Sequence, residues 1–335
     1  MEKGQGMSKK ILFVIDDIEL KYFEFNDLVT NFWFIKEFLK RNYKVSIAIK
    51  SDLFIENAKG CAFSMESYIK DQDIFYKKEK SKNLINDFDI VFFRPDPPVD
   101  INYINACYVF DYVDKTKTLV FNDPTEVKNF NEKFHVNYFP EFVPKNIVSS
   151  SMEVIMDFVE QNKEAILKPL NRCFGSGVYY LNNEDKNLVT IINAMTENGK
   201  TPVMVQEYLP EAKNGDKRVL IIGETVLDRC IQKLPGEHNF KFSVHSDKYF
   251  KGVELTENEK AMAQKIAQEL SKRGIYLVGL DVISEKVIEI NVTSPCYFIR
   301  EINQNYGIHF EDKIMACLEE IIEKHFSKER TYAIN

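Results

Sequence analysis

The pattern of apolar and polar positions changes character near residue 145. Before that point, Ile11 to Ile15 form a continuous apolar run ending on Asp16-Asp17, the mark of a strand buried on both faces. Leu28, Phe32, Ile35, Phe38 and Leu39 then fall at helical spacing within 27–41, and 45–49 returns as a strand. Further apolar runs at 90–93 and 118–121 flank a helical stretch near 101–114. Buried strands alternating with helices predict a doubly wound α/β domain, which binds ligands at the carboxyl ends of its strands. Beyond 145 the strands are short and read as pairs, 165–168 with 178–181, and 203–206 with 218–222 and 225–232. Helices are expected near 151–162, 185–198, 256–273 and 308–325, and strands at 276–283 and 286–290 form a hairpin. Segment 236–251 has no clear period and reads as a mobile loop, so the second half is α+β.

Composition narrows the function. The 335 residues suffice for two or three packed subdomains. A net charge of −7 with no long basic run argues against a nucleic-acid partner. No stretch approaches the roughly 20 apolar residues that span a bilayer, and the polar N-terminus lacks a signal peptide's apolar core. A cytoplasmic protein is expected, with residues 1–9 a flexible tail or tag. Six cysteines without CxxC or CxH spacing read as free thiols, and five histidines show no metal spacing.

The densest chemistry lies near the end. Glu289 and Asn291 are two apart on a strand, so both side chains leave one face, and Asp281 on the preceding strand joins them. Three hard oxygen donors without His or Cys suit magnesium, which keeps waters and takes phosphate oxygens as its other ligands. Manganese is a possible substitute. Lys168 ends the apolar strand 165–167 before Pro169, and Lys133 follows Asn131-Glu132 on an expected helix. Such cations suit a nucleotide's phosphates. Strand 203–206 runs into Glu207-Tyr208-Leu209, placed to meet an adenine edge. The turn beyond offers Asp216 for a ribose hydroxyl and Arg218 for an acyl phosphate or carboxylate. Ser294-Pro295 reads as an N-cap with Pro at the first helical position, a seat for a substrate carboxylate. Residues 194–201 fit a loose P-loop pattern, but a helix precedes and a strand follows, so Gly199 reads as a helix C-cap.

In order, Arg94-Pro95-Asp96-Pro97-Pro98, Asn131-Glu132-Lys133, Leu167-Lys168-Pro169, Tyr208-Leu209-Pro210, Asn214-Gly215-Asp216-Lys217-Arg218, Gly279-Leu280-Asp281 and Glu289-Ile290-Asn291-Val292-Thr293-Ser294-Pro295 resemble bacterial glutathione synthetase, of the ATP-grasp superfamily. The resemblance implies an ATP-grasp fold: a pre-grasp α/β domain over 10–123, a lid subdomain over 124–202, a catalytic subdomain over 203–327 and a tail at 328–335. It implies an ATP-dependent carboxylate–amine ligase, joining γ-glutamylcysteine to glycine through an acyl phosphate and releasing ADP and phosphate. By the same likeness Lys133 and Lys168 bind ATP, with Gly175, Ser176 and Gly177 in the phosphate loop, Glu207, Tyr208 and Leu209 at adenine and Asp216 at ribose. Lys168 and Arg218 act in catalysis. Arg94, Asp96, Arg218, Lys241 and Ser294 meet the peptide and amino-acid substrates, and Asp281, Glu289 and Asn291 hold the metal. A homo-oligomer is implied too. No enzyme nucleophile is needed, so the lack of a Ser–His–Asp or Cys–His signature is no obstacle. Two loops depart from the family: 171–177 is poorer in Gly and carries Phe174, and 236–251 has Lys241 and Ser243 where the family has an Arg and an Asn. A ligase for another peptide or amino-acid pair, and a non-catalytic nucleotide-binding protein, stay open as alternatives.

Overall fold

The apolar runs of the first 123 residues become the interior strands of one sheet. A computed structural model describes residues 8–332 apart from 22, 24, 174, 237, 238 and 243–248, and of residues 236, 239–242 and 328–332 it describes the backbone alone. The sheet comprises β1 (Lys10–Ile15), β2 (Lys44–Ile49), β3 (Leu53–Glu56), β4 (Lys59–Lys70), β5 (Asp73–Tyr76), β6 (Ser81–Leu84), β7 (Ile90–Phe93) and β8 (Leu119–Phe121). Its order is β3-β4-β2-β1-β7-β8, with β5 and β6 also paired to β4. The pairs β2-β1, β1-β7 and β7-β8 are parallel, as continuous apolar runs require. Alternate residues of β1 serve opposite faces. Ile11, Phe13 and Ile15 pack with α2 (Thr30–Lys40), which follows the short α1 (Asp17–Lys21), whereas Leu12 and Val14 pack with α3 (Ile101–Val109). The antiparallel strands β3 to β6 carry no sequence signal as strong, because many of their side chains are exposed.

After α4 (Pro124–Lys128) come β9 (Asn146–Ser149), α5 (Met152–Asn162), β10 (Glu164–Pro169), β11 (Tyr179–Asn182), α6 (Leu188–Met195) and β12 (Val203–Glu207). They form an antiparallel sheet in the order β11-β10-β12-β9, whose apolar face packs on α5 and α6. The expected pairing of 203–206 with 218–222 is therefore corrected. β12 takes β10 and β9 as partners, and the division expected at 202/203 falls inside this sheet. Helix α6 is capped at Thr196, whose hydroxyl donates to the Ile192 carbonyl, and Gly199 (φ 83°) lies in the turn beyond rather than at the cap.

A third sheet holds β13 (Asp216–Ile222), β14 (Thr225–Val226), β15 (Cys230–Lys233), β18 (Phe250–Val253), β19 (Leu277–Ile283) and β20 (Lys286–Asn291), in the order β18-β15-β13-β19-β20 with β14 beside β13. Between β15 and β18, β16 (Pro235–Gly236) pairs with β17 (Asn239–Phe242), so part of the expected loop is strand; His238, Ser243 and His245 lie outside the described residues. Val219 and Ile221 of β13 pack with α7 (Glu257–Ser271). Leu220 and Ile222 face the other way and join one core with α2, α8 (Ile299–Tyr306) and α9 (Phe310–Tyr332). Because α9 runs to Tyr332, residues 328–332 are helix rather than tail.

One side chain stitches the first sheet to the third. Asn122, just past β8, donates to the carbonyls of Leu277 (2.7 Å) and Val292 (2.8 Å) and accepts from the amides of Tyr276 and Leu277 (both 2.7 Å). Every hydrogen-bonding valence of its amide is used. All six cysteines are free thiols. Among the described residues no helix is long and apolar enough to cross a membrane.

Candidate active site

Register gathers two cations and three carboxylates on neighbouring strands of the third sheet. Asp216 lies opposite Lys233, Arg218 opposite Asp281, and Asp281 opposite Glu289, so their side chains emerge where β15, β13, β19 and β20 run side by side. Arg218 clasps Asp281 in a fork, Nε at 2.7 Å and Nη2 at 3.1 Å. Lys233 Nζ stands 2.6 Å from Asp216 and 3.0 Å from Asp281. Glu289 accepts from Lys133 Nζ at 2.8 Å. Burial works against the Asp281 carboxylate, yet Arg218 and Lys233 hold it well below its ordinary range. Burial likewise opposes the charge on Lys233, but Asp216 and Asp281 outweigh it and raise its pKa.

The group of charges faces a cavity of about 950 Å³ that also takes in the four-stranded sheet and the first domain. Such a volume is at the upper end for a small-molecule site, enough for a nucleotide with a second ligand. Lys168, last but one in β10, reaches Gln206 Oε1 of β12 at 2.7 Å. Burial lowers its pKa to about 8, an effect Glu289 only partly offsets. Lys133 sits on a turn rather than on the expected helix, since the Asn131 side-chain oxygen Oδ1 accepts from the backbone amides of Lys133 (3.1 Å) and Phe134 (2.9 Å) and bends the chain there. Glu207, Tyr208 and Leu209 line the cavity at the end of β12, with one Glu207 oxygen held by the Lys145 amide at 2.9 Å. Gly215 admits no side chain. At φ 91° its added Cβ would lie 1.9 Å from the Lys233 carbonyl oxygen, and this close approach brings Asp216 beside Lys233.

Gly175 and Ser176 line the cavity, and Gly175 and Gly177 adopt φ of 66° and 76°, values that favour glycine. Phe174 lies outside the described residues, as does the side chain of Lys241. Arg94, Asp96 and Ser294 also line the cavity. Ser294 does not cap a helix, correcting the expectation: Phe298 turns into the left-handed region (φ 47°), and helix α8 starts only at Ile299. The intervening segment is tied down instead, because the Tyr297 amide donates to Thr30 (2.9 Å) and the Tyr297 hydroxyl to the Ile221 carbonyl (2.7 Å).

The cavity also takes in polar residues that had no role from the sequence. Lys233 ends β15 but reads as an ordinary strand lysine until its register with Asp216 is known. Glu132 accepts from the amides of Val292 (2.8 Å) and Thr293 (3.0 Å) and so fixes the chain between Asn291 and Ser294. Gln206, Asn31 and Glu19 are further examples. Of these, Glu132 stood within the Asn131-Glu132-Lys133 motif and Gln206 within the strand 203–206.

Asp281, Glu289 and Asn291 offer two carboxylates and an amide on one cavity wall, a set of hard oxygen donors that fits magnesium. Asn291 Nδ2 lies 3.3 Å from Asp281 Oδ2, which leaves its carbonyl oxygen for a cation. The cations now on these carboxylates, Lys133, Arg218 and Lys233, are of the kind a polyphosphate engages.

Comparison with known proteins places the chain. Residues 10–128 match the prokaryotic glutathione synthetase N-terminal domain, and residues 132–307 match the prokaryotic glutathione synthetase ATP-grasp domain. The glutathione synthetase of Vibrio parahaemolyticus is 31% identical over 292 residues, 87% of this chain and 92% of the relative. That of Synechococcus elongatus is 35% identical over 250 residues, 75% of this chain and 77% of the relative. Among solved structures, a D-cycloserine synthetase superposes with a TM-score of 0.63 at 13% identity, covering 93% of this chain and 99% of that one. D-alanyl-alanine synthetase A of Vibrio cholerae does so with 0.59 at 14% identity, covering 95% and 100%. The curled sheets around the cavity are those of an ATP-grasp protein, and the chain belongs to the prokaryotic glutathione synthetase family.

Proposed function

We propose that the protein is an ATP-dependent carbon–nitrogen ligase that condenses γ-glutamylcysteine with glycine, releasing ADP and phosphate. The observation that carries this reading is the group of paired carboxylates and cations on β13, β19 and β20 facing a cavity large enough for two ligands. A carboxylate is a poor electrophile, so its oxygen first takes the γ-phosphoryl group of ATP as ADP leaves. The glycine amine then attacks the acyl carbon, the C–O bond to phosphate breaks, and the amine sheds its proton.

In this reading Lys133 and Lys168 bind the phosphates, with Gly175, Ser176 and Gly177 closing over them. Glu207, Tyr208 and Leu209 meet the adenine and Asp216 the ribose. Arg218 steadies the transferred oxygens, and Arg94, Asp96, Lys241 and Ser294 meet the substrates. Asp281, Glu289 and Asn291 would hold magnesium, which supplies neutralisation of the charge on the β and γ phosphates. Arg218 and Lys233 start on Asp281 and Lys133 starts on Glu289, so each cation is already placed beside the phosphate position. We further assign the protein to the cytoplasm as a homo-oligomer, with the lid division moved to follow β12.

Two measurements test the reading. ADP release in the presence of ATP and magnesium should require both γ-glutamylcysteine and glycine; equal release with either omitted would dismiss it. Because Lys168 must be protonated to meet phosphate and its pKa in the free site is near 8, kcat/KM for ATP should fall as pH rises through that value. The fall should be about tenfold per pH unit. Lys168→Arg, which stays charged, should lose that limb, and an unchanged profile would remove Lys168 from the phosphates.

A further inference from the structure

A histidine that does not line the cavity is built into the turn that carries Lys133. Asn131-Glu132-Lys133 leads into a short 3₁₀ helix, Phe134–Tyr138. His135, its second residue, turns its ring back, and Nδ1 accepts the backbone amide of Asn131 at 2.6 Å. Asn131 returns the contact. Its Oδ1 accepts the amides of Lys133 and Phe134, and its carbonyl accepts the His135 amide at 2.9 Å. Each residue satisfies amides of the other's end, the reciprocal logic of a capping box with histidine in place of the usual Glu or Gln.

Asn131 passes this constraint to both phosphate-facing elements. Its Nδ2 donates to the Leu170 carbonyl at 3.1 Å, at the root of the loop bearing Gly175 to Gly177. Two residues on, buried Lys133 reaches Glu289 and the Arg172 carbonyl, each at 2.8 Å. A nitrogen that accepts an N–H needs a free lone pair, so Nδ1 serves only in the neutral ring with its proton on Nε2. Protonation sets one N–H against another, and the turn exchanges a hydrogen bond for a repulsion. The surroundings oppose that charge. Phe130, Phe134 and Tyr138 pack around the ring, with centroids 5.1, 5.2 and 4.8 Å away. Arg273, just beyond α7, stands 4.9 Å from the Tyr138 ring, and Glu126 of α4 approaches that guanidinium at 4.0 Å. Burial lowers the pKa of His135, and the Arg273 charge lowers it further.

We propose that His135 is a positioning residue for nucleotide binding, its neutral ring fixing the 131–133 turn and hence Lys133, and its protonation loosening that turn. The inference rests on the reading of Lys133 as a phosphate contact and adds a proton-dependent element to it. The sign follows from the direction of the shift. With the folded pKa depressed, the contribution is present above the unfolded value near 6.5 and is lost as pH falls through the folded value. Nucleotide affinity should weaken in acid for the same reason.

The test compares wild type with His135→Asn and His135→Ala. Asparagine carries Oδ1 as many bonds from Cβ as the imidazole carries Nδ1, so it accepts the Asn131 amide at every pH. Calorimetric binding of ADP with magnesium from pH 8 to pH 5 gives the readout, and the ratio of the two dissociation constants cancels the nucleotide's own protonation. Wild type and His135→Asn should bind alike at pH 8, with wild type weaker by about threefold or more at pH 5. His135→Ala should be weaker than His135→Asn by about fivefold throughout. In turnover the acid effect should fall on KM for ATP and leave kcat unchanged. A ratio that stays flat while near-UV circular dichroism shows both proteins folded overturns the inference, and so does an acid loss confined to kcat. If His135→Ala does not fold, the asparagine comparison decides alone. Lys133→Ala separates the two readings: ADP bound as tightly as by wild type removes the phosphate role of Lys133 and this inference with it. Weakened binding by Lys133→Ala beside a flat wild-type to His135→Asn ratio removes only the role of His135.

Discussion

Glu289→Gln should lower ADP release by about 10³-fold while leaving the protein folded. The carboxylate is one of the two in the Asp281, Glu289 and Asn291 donor set, and glutamine keeps the length but loses the charge. Its ion-pair partner Lys133 also donates to the Arg172 carbonyl at 2.8 Å, so the lysine is not stranded by the change. The stability cost should therefore be small, about 1 kcal/mol. Steady-state kinetics over a magnesium series should show the variant's activity recovering in part at high metal. Full activity at limiting magnesium would take Glu289 out of the metal site.

Asp281→Asn should differ in kind, losing stability as well as activity. Asp281 is 6% exposed and balances two buried cations, Arg218 through a fork and Lys233 at 3.0 Å. Asparagine removes the charge that both cations share, and breaking such a network by one partner costs about 3–5 kcal/mol. Denaturant unfolding should show a lower midpoint at similar slope. Adding Arg218→Gln should return part of the stability and none of the turnover. The acid limb follows from the sign of the shift. Because the folded pKa is depressed, this stabilisation is present above the unfolded value near 4 and is lost as pH falls through the folded value. An unfolding midpoint equal to wild type would mean that the belt carries little of the fold's stability.

Much of this architecture was legible in the sequence because burial on both faces writes an unbroken apolar run, as in β1 and β7, and a period-2 pair such as Glu289 and Asn291 declares a shared face. What was illegible depends on long-range pairing. β12 has the same local pattern whether it joins β10 or β13, and only the fold decides. Lys233 gains its meaning from the strand opposite, and Gly215 from a carbonyl eighteen positions on. The Ser294-Pro295 helix signal failed because Tyr297 is anchored at both its amide and its hydroxyl, a tertiary constraint that outweighs a local cap preference.

The four hydrogen bonds of Asn122 make the N-terminal sheet and the sheet bearing Asp281 and Glu289 a single chassis. The spacing between the cavity wall built by the first domain and the wall bearing Asp281 and Glu289 is then set before any ligand arrives.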